Sequence, residues 1–181
     1  MPGNEPQRRL IMTAEDISRA IRRMASQIWE SHVGGELALV GLRSRGATLA
    51  RRLQPHIEQM AGKPIPVGIL DIGLYRDDIG HTTIIPEVRS TEIPFDIEKR
   101  HIVLVDDVLF TGRTVRAALN ALMDLGRPDR VELLVLIDRG HRELPIQANY
   151  VGKDVKTYAN EKVIVALQDD DGEEGVYIVP E

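Results

Sequence analysis

The sequence has no cysteine and no long apolar run. Without cysteine, disulfides and thiolate metal sites are excluded, and a reducing cytoplasm is the location we expect. The apolar runs fall well short of the roughly 20 residues that a membrane-spanning helix needs. The first residues, MPGNEPQRR, lack the apolar core of a signal peptide. We therefore expect no membrane partner.

Basic residues are also not in excess, since the net charge of the chain is −5. The field of the whole molecule does not favour nucleic acids, so any RNA surface must be a local basic patch. With 43% hydrophobic and 28% charged residues, the composition is that of a folded protein. A chain of 181 residues suits one domain, which we expect to span 1–181.

Apolar positions alternate between helical periods and short continuous runs. A capping box at Thr13 and Asp16 predicts a helix from about Thr13 to Ser31. ELALVGL predicts a strand, and ATLARRL predicts a helix that Pro55 should kink or end. Further strands are predicted at PVGILDIGLY, at the four apolar residues that lead to Asp106, and at VELLVLI, KVIVAL and GVYIV, with a helix at about 114–125. This pattern predicts an α/β fold with a mostly parallel central sheet flanked by helices.

Two segments lack such a pattern. Residues 75–92 are polar and punctuated by proline, which predicts a flexible loop with a functional role. Residues 168–181 form an acidic C-terminal segment that contains DDDGEEG.

The stretch VLVDDVLFTGRT carries the strongest chemical signal. Asp106 and Asp107 follow buried apolar residues, and Thr111, Gly112 and Thr114 lead into a helix. Small residues at a helix N-terminus let main-chain amides approach a phosphate. The two carboxylates would repel that phosphate, so they should address sugar hydroxyls or Mg²⁺ on the same ligand. A sugar phosphate suits both the turn, through its phosphate, and the carboxylates, through its hydroxyls. The sequence motifs of Walker-type nucleotide-binding loops and of dinucleotide-binding folds are missing.

This stretch resembles the signature of type I phosphoribosyltransferases, which use 5-phosphoribosyl-1-diphosphate (PRPP) together with Mg²⁺. The resemblance implies that Asp106 and Asp107 contact the ribose hydroxyls. It implies diphosphate contacts from Ser44 and Arg45 in GLRSRG, and from Arg76 in LYRDD at the start of a flexible hood. The same resemblance assigns the 5′-phosphate to Val108, Leu109, Phe110, Thr111, Gly112, Arg113 and Thr114.

The base that the site accepts depends on position 110. Members that act on 6-oxopurines carry an aspartate immediately before the Thr of TG, whereas this chain has Phe110. An aromatic ring cannot accept a proton, so purine salvage without RNA binding becomes the alternative hypothesis.

A longer resemblance, over roughly residues 13–167, is to the PyrR family. It is carried by LYRDD, DDVLFTGRTVRAAL and GRPDRVELLVLIDRGHRELP. Members are bifunctional pyrimidine-operon attenuators with uracil phosphoribosyltransferase activity. The resemblance implies that UMP or UTP favours binding to leader mRNA, that PRPP opposes it, and that the protein is a homodimer or a higher homo-oligomer. It also implies that uracil is recognised near Asp138, Arg139 and Val163, largely by backbone groups.

RNA binding requires cations that neutralise phosphates and groups that read exposed bases. Two basic clusters are candidates, and Ser26, Ser31 and Gln147 stand where the family tends to place further polar or basic groups. The first cluster is Arg19, Arg22 and Arg23 on the predicted first helix, and the second is His141, Arg142 and Lys153, with Lys156 nearby.

Overall fold

The computed structural model describes residues 7–73 and 91–181. Eight strands and four helices follow one another in this part of the chain. In chain order they are β1 (Arg9–Met12), α1 (Ala14–Ser31), β2 (Leu37–Leu42), α2 (Arg45–Ala61), β3 (Val67–Leu70), β4 (His101–Leu109), α3 (Arg113–Met123), β5 (Arg130–Asp138), β6 (Tyr150–Asp154), β7 (Glu161–Ala166), α4 (Gln168–Asp171) and β8 (Gly175–Pro180).

Five of the strands form a parallel sheet in the order β3-β2-β4-β5-β6. Its central strands are almost wholly buried, because α1 and α2 pack on one face and α3 packs on the other. Leu37, Leu39 and Val103 face the first layer, and Ala38 and Val40 face the second. This confirms the predicted fold class. Loops that follow β2, β4 and β5 share the carboxyl edge of the sheet, where ligands of open parallel sheets bind.

A small antiparallel sheet of β1, β8 and β7 packs beside the larger one. The strands β7 and β8 were predicted, but β1 and β6 were not. Both missed strands are short, and their polar residues hide the alternation that identifies a strand. β3 is also shorter than predicted, since it ends at Leu70.

Helix α1 confirms the prediction made from its capping box. The Asp16 amide donates to Thr13 Oγ1 over 3.2 Å, and the Thr13 amide donates to Asp16 Oδ2 over 2.9 Å. This backbone hydrogen bond from Thr13, helped by the Arg19 side chain, lowers the pKa of Asp16 to about 2. The helix therefore starts where its end groups are satisfied.

The prediction that the second helix ends at Pro55 was wrong, whereas the alternative of a kink there stays a prediction. α2 continues to Ala61 and closes at Gly62, a left-handed residue (φ 68°) whose amide donates to Glu58 O. The ring of Pro55 faces solvent, whereas Leu53 and Ile57 on either side are fully buried. Their burial offsets the cost of the missing amide, about 3 kcal/mol for proline inside a helix.

A buried polar cluster lies at the amino end of the sheet. His101 is 7% exposed, and its Nε2 is 2.7 Å from Oε1 of the likewise buried Glu132. Its Nδ1 lies 2.9 Å from Nδ1 of His32. Burial lowers the pKa of His101, because it removes water from the charged imidazolium, and the attraction of Glu132 only partly opposes this.

We expect this cluster to make stability depend on pH. The free energy of unfolding should fall as the pH drops through 6.5, because unfolded His101 binds a proton that the folded state resists. The comparison is urea unfolding of the wild type and of His101→Gln between about pH 5.5 and pH 8. The variant should lose less stability on acidification, and identical pH slopes for the two proteins would contradict the expectation.

In residues 7–73 and 91–181, the helices are all too short or too polar to cross a membrane.

Candidate functional site

The two carboxylates predicted to hold a sugar lie inside a strand. We predicted that the strand ends at Asp106, but β4 continues to Leu109, since Asp106 and Val108 still pair with Val135 and Ile137 of β5. The Asp106 side chain is 8% exposed, and its Oδ1 accepts the Asp107 amide over 2.9 Å. Asp107 is half-buried, and its Oδ1 accepts the Val108 amide over 2.8 Å. The main chain thus holds both carboxylates at the carboxyl edge of the sheet.

The predicted phosphate loop is a tight turn from β4 into α3. Gly112 is the N-cap of α3 and adopts φ 93°, a left-handed conformation that side chains disfavour. Gly112 has no side chain to cap the helix, and the Arg113 amide donates to Thr111 Oγ1 over 3.3 Å. The amides of the first turn have no carbonyl partner within the helix. The carbonyl of Thr111 accepts the amides of Glu143 and Leu144 over 2.9 Å and 3.1 Å, which fixes the turn. An anion fits at such a helix N-terminus.

The predicted 5′-phosphate residues divide into three groups in the structure. Val108 and Leu109 are strand residues, and Leu109 is 1% exposed with its carbonyl accepting the Arg139 amide. Phe110, Thr111 and Gly112 form the turn itself. Arg113 and Thr114 open α3, and the Arg113 Nε donates to Glu143 Oε2 over 3.0 Å.

The second loop that we predicted to bind an anion lies between β2 and α2. Ser44 is the N-cap of α2 and Arg45 is its first residue. Arg45 is close enough to Asp107 for the carboxylate to contribute to its electrostatic environment. The side chain of Arg45 is held by Asp171 of α4, with Nη2 2.7 Å from Oδ1 and Nε 3.2 Å from Oδ2. The structure therefore brings the predicted diphosphate cation next to the predicted sugar-binding acids.

A cleft of about 890 Å³ opens at the carboxyl end of β5, the strand next to β4 in the sheet. Asp138 and Arg139, at the end of β5, belong to its lining, and Asp138 pairs in register with Leu109 of β4. A cleft of this size suits a small ligand. The remaining lining comes from Arg9 of β1, from Gly140, His141 and Arg142, and from residues 154–158.

An aromatic and cationic cluster connects the turn after β4 to residues that line this cleft. The guanidinium carbon of Arg139 lies 3.9 Å from the centre of the Phe110 ring, a cation–π contact, and the ring of His141 meets Phe110 edge-on at 5.9 Å. Arg139 also donates to the Glu161 carbonyl over 2.8 Å. Phe110 thus joins the phosphate turn to the proposed base site.

Val163, the third residue predicted to lie near uracil, is a core residue, whereas Asp138 and Arg139 line the cleft. It is a residue of β7 that is 8% exposed and packs in the hydrophobic core. Its side chain is therefore part of the core, and any contact with a base would have to use its main chain. Arg76 and most of the predicted loop 75–92 lie outside the described residues.

The structure separates one member of the second predicted RNA cluster from the others. His141, Arg142 and Lys156 line the cleft. Lys153 of β6 instead lies with Arg19, Arg22 and Arg23 around a groove between α1 and β6. Arg142 uses its guanidinium internally, with donors to Asp138 Oδ2 at 2.5 Å and to the carbonyls of Phe110 and Ile146 at 2.9 Å and 2.8 Å. These hydrogen bonds were invisible in the sequence, where Arg142 looked like a surface cation.

The residues also bear on how Mg²⁺ could be held. Within the described parts of the chain, no three His, Asp or Glu side chains gather as a metal site. Mg²⁺ commonly uses one or two carboxylates and completes its shell with substrate phosphates and water. Asp106 and Asp107 beside an anion-binding turn fit this second arrangement.

Comparison with known proteins agrees with this geometry. Residues 11–170 match the family model described as the phosphoribosyl transferase domain. The chain is 56% identical over 170 residues to the bifunctional protein PyrR of Pelotomaculum thermopropionicum, covering 93% of this chain and 94% of that protein. The chain belongs to the PyrR family. The bifunctional protein PyrR of Chloroflexus aurantiacus is 54% identical over 178 residues, covering 98% of this chain and 96% of the relative.

Solved structures show the same fold at lower identity. A hypoxanthine phosphoribosyltransferase from Staphylococcus aureus has a TM-score of 0.71 and 22% identity, covering 98% of this chain and 93% of that one. A hypoxanthine-guanine phosphoribosyltransferase from Bacillus anthracis has a TM-score of 0.72 and 14% identity, covering 98% and 99%. At these identities the likeness confirms the type I phosphoribosyltransferase fold of this PyrR-family chain and carries no information on the base.

Proposed function

We propose that the protein is a uridine-nucleotide-sensing regulator that binds pyrimidine-operon leader mRNA and also converts uracil and PRPP to UMP and pyrophosphate. The observation that carries the proposal is the meeting of three features at one edge of the sheet. These are the acid pair at Asp106 and Asp107, the anion-binding turn at Gly112 and the cation of Arg45. Membership of the PyrR family supports the combination of the two activities.

In the proposed reaction, the ribose is held before any bond changes. Asp106 and Asp107 accept hydrogen bonds from its 2′ and 3′ hydroxyls, and the amides at the start of α3 donate to the 5′-phosphate. Both carboxylates are already fixed by main-chain amides, so little reorganisation is needed when the ligand arrives. The anomeric carbon is thereby directed towards the cleft that contains Asp138 and Arg139.

Displacement at the anomeric carbon then forms its bond to uracil N1 as its bond to the diphosphate oxygen breaks, and the N1 proton passes to the departing diphosphate or to solvent. Arg45 would donate to the leaving diphosphate, whose negative charge grows as the bond breaks. Arg76 remains a predicted second donor to the diphosphate. Asp106 and Asp107 are the carboxylates that would hold Mg²⁺ together with PRPP, and the ion would supply further charge neutralisation. Asp138 and Arg139 would orient the base, largely through their main chain.

The purine alternative has little support from the site. Phe110 is 38% exposed and stacks on Arg139, so no carboxylate stands at the position where purine enzymes carry one. A base panel tests the proposal directly. Radiolabelled uracil with PRPP and Mg²⁺ should yield UMP, while hypoxanthine, guanine and xanthine should yield little nucleotide. A preference for any of the purines would reverse the assignment.

For RNA, we propose the groove between α1 and β6 as the contact surface. The Arg19 side chain donates hydrogen bonds to Glu15 and Asp16. The Arg23 side chain donates to the carbonyls of Val151 and Gly152. The side chain of Arg22 is exposed and, among the described residues, has no hydrogen bond or ion pair, although its carbonyl accepts Ser26 Oγ over 3.2 Å. The guanidinium of Arg22 can therefore turn to an RNA phosphate without breaking internal contacts. We further propose a cytoplasmic location and a homo-oligomeric assembly.

The substitution Arg22→Gln should weaken binding to a pyrimidine leader RNA about tenfold in the presence of UMP. It should also reduce the slope of log affinity against log salt by about one, because one phosphate contact is lost. Fluorescence titration at several salt concentrations measures both quantities. Arg51→Gln is the matched control, because Arg51 is an exposed arginine on α2 outside this groove. Equal affinity losses in the two variants would contradict the proposed surface.

A further inference from the structure

The acidic turn between β7 and β8 packs against one face of α2. Three residues of α2 spaced along that face, Arg45, Thr48 and Arg52, each meet a carboxylate from this turn. Thr48 Oγ1 donates to Asp170 Oδ2 over 2.7 Å. Arg52 pairs with Glu174 and lies 3.5 Å from Asp169. The turn therefore contacts the helix that follows the proposed diphosphate loop.

The contact at Arg45 is the one with consequences for the ligand. Asp171 takes two of the five N–H donors of the guanidinium, Nε and one on Nη2. Its Oδ2 also accepts the Leu167 amide over 2.9 Å, so the carboxylate is anchored to its own turn. The hydrogen bonds from the Arg45 side chain stabilise the charged form of Asp171 and hold the pKa of this carboxyl below its ordinary value.

A diphosphate that binds at the start of α2 needs the same guanidinium. Asp171 neutralises Arg45 locally and occupies the edge of the fork that carries two parallel donors, which is the edge best suited to a phosphate. The ligand must share or displace this contact. A carboxylate close to the site also repels the negative charge of the diphosphate.

We propose that Asp171 is a positioning residue that competes with the ligand's diphosphate for Arg45 and so sets the affinity of the site for PRPP. The inference rests on the proposed function. It predicts an effect that is selective for ligands with a diphosphate, because UMP carries only the 5′-phosphate at the start of α3.

The test is calorimetric titration of Asp171→Asn and the wild type with PRPP and Mg²⁺, and separately with UMP. The variant should bind PRPP about two- to fivefold more tightly, because partly exposed ion pairs have about that strength. Its affinity for UMP should be unchanged. In the uracil assay its KM for PRPP should fall while kcat stays the same. Asp171→Glu should restore the wild-type values.

Glu173→Gln is the control for charge, because Glu173 belongs to the same turn but pairs with Arg8 over 3.0 Å. It should leave the PRPP affinity unchanged. If Asp171→Asn fails to fold, Asp171→Ser gives the same test, since its hydroxyl can still accept the Leu167 amide. Unchanged or weaker PRPP binding by the variant, or a parallel change in UMP binding, would overturn the inference. A wild type that binds no PRPP would instead refute the proposed function.

Discussion

Asp107→Asn should lower kcat/KM for UMP formation about 100-fold and leave the fold intact. A carboxylate that accepts hydrogen bonds from ribose hydroxyls is worth about 1.5–3 kcal/mol per charged contact, and that benefit is largely lost in an amide. The amide oxygen can still accept the Val108 amide, which the wild-type carboxylate accepts over 2.8 Å. The loss should therefore appear in catalysis and in PRPP binding, and not in thermal unfolding.

The matched control is Asp129→Asn. Asp129 is exposed and lies before β5, at the amino end of the sheet and far along the strands from the acid pair. Steady-state kinetics with varied PRPP should give wild-type values for this control. If Asp107→Asn keeps more than about a third of the wild-type kcat/KM, the proposed role of the acid pair in holding the ribose is wrong.

The parts of the site that the sequence revealed are those that are local in the chain. Asp106, Asp107 and Gly112 lie within one strand-turn-helix unit, so their types and spacing determine what they can do together. The same reasoning places Ser44 and Arg45 at the same edge of the sheet, because parallel strands carry their following loops to one side. Short-range pattern and strand direction were sufficient for these residues.

Long-range partners were not predictable in this way. Asp171 is 126 residues from Arg45 in the chain, and an acidic run is ordinarily a solvated surface. The internal hydrogen bonds of Arg23 and Arg142 depend on carbonyls that the sequence does not mark. Pro55 misled the helix prediction because local propensity was outweighed by the buried residues on either side of it. In each case tertiary packing decided the outcome.

Gly46→Ala should have the largest effect on both stability and activity. A Cβ at Gly46 would collide with the Val105 carbonyl and lie 3.2 Å from the Asp106 Cα, and both are main-chain atoms of β4 that cannot swing aside. The start of α2 would have to move away from the strand, which should lower the free energy of unfolding by about 2–4 kcal/mol. Because Arg45 and Asp106 would move apart as well, we expect kcat/KM to fall at least about 100-fold.

Gly62→Ala separates these two effects, because Gly62 lies at the other end of the same helix. Its φ of 68° makes alanine unfavourable, but a Cβ there would meet no atom within 4 Å. This control should lose about 1 kcal/mol of stability and keep the wild-type kcat/KM. Urea unfolding and the uracil assay on the same preparations give both numbers. A Gly46→Ala protein with wild-type kinetics would mean that the close approach of α2 to β4 is unimportant for holding Arg45 against the acid pair.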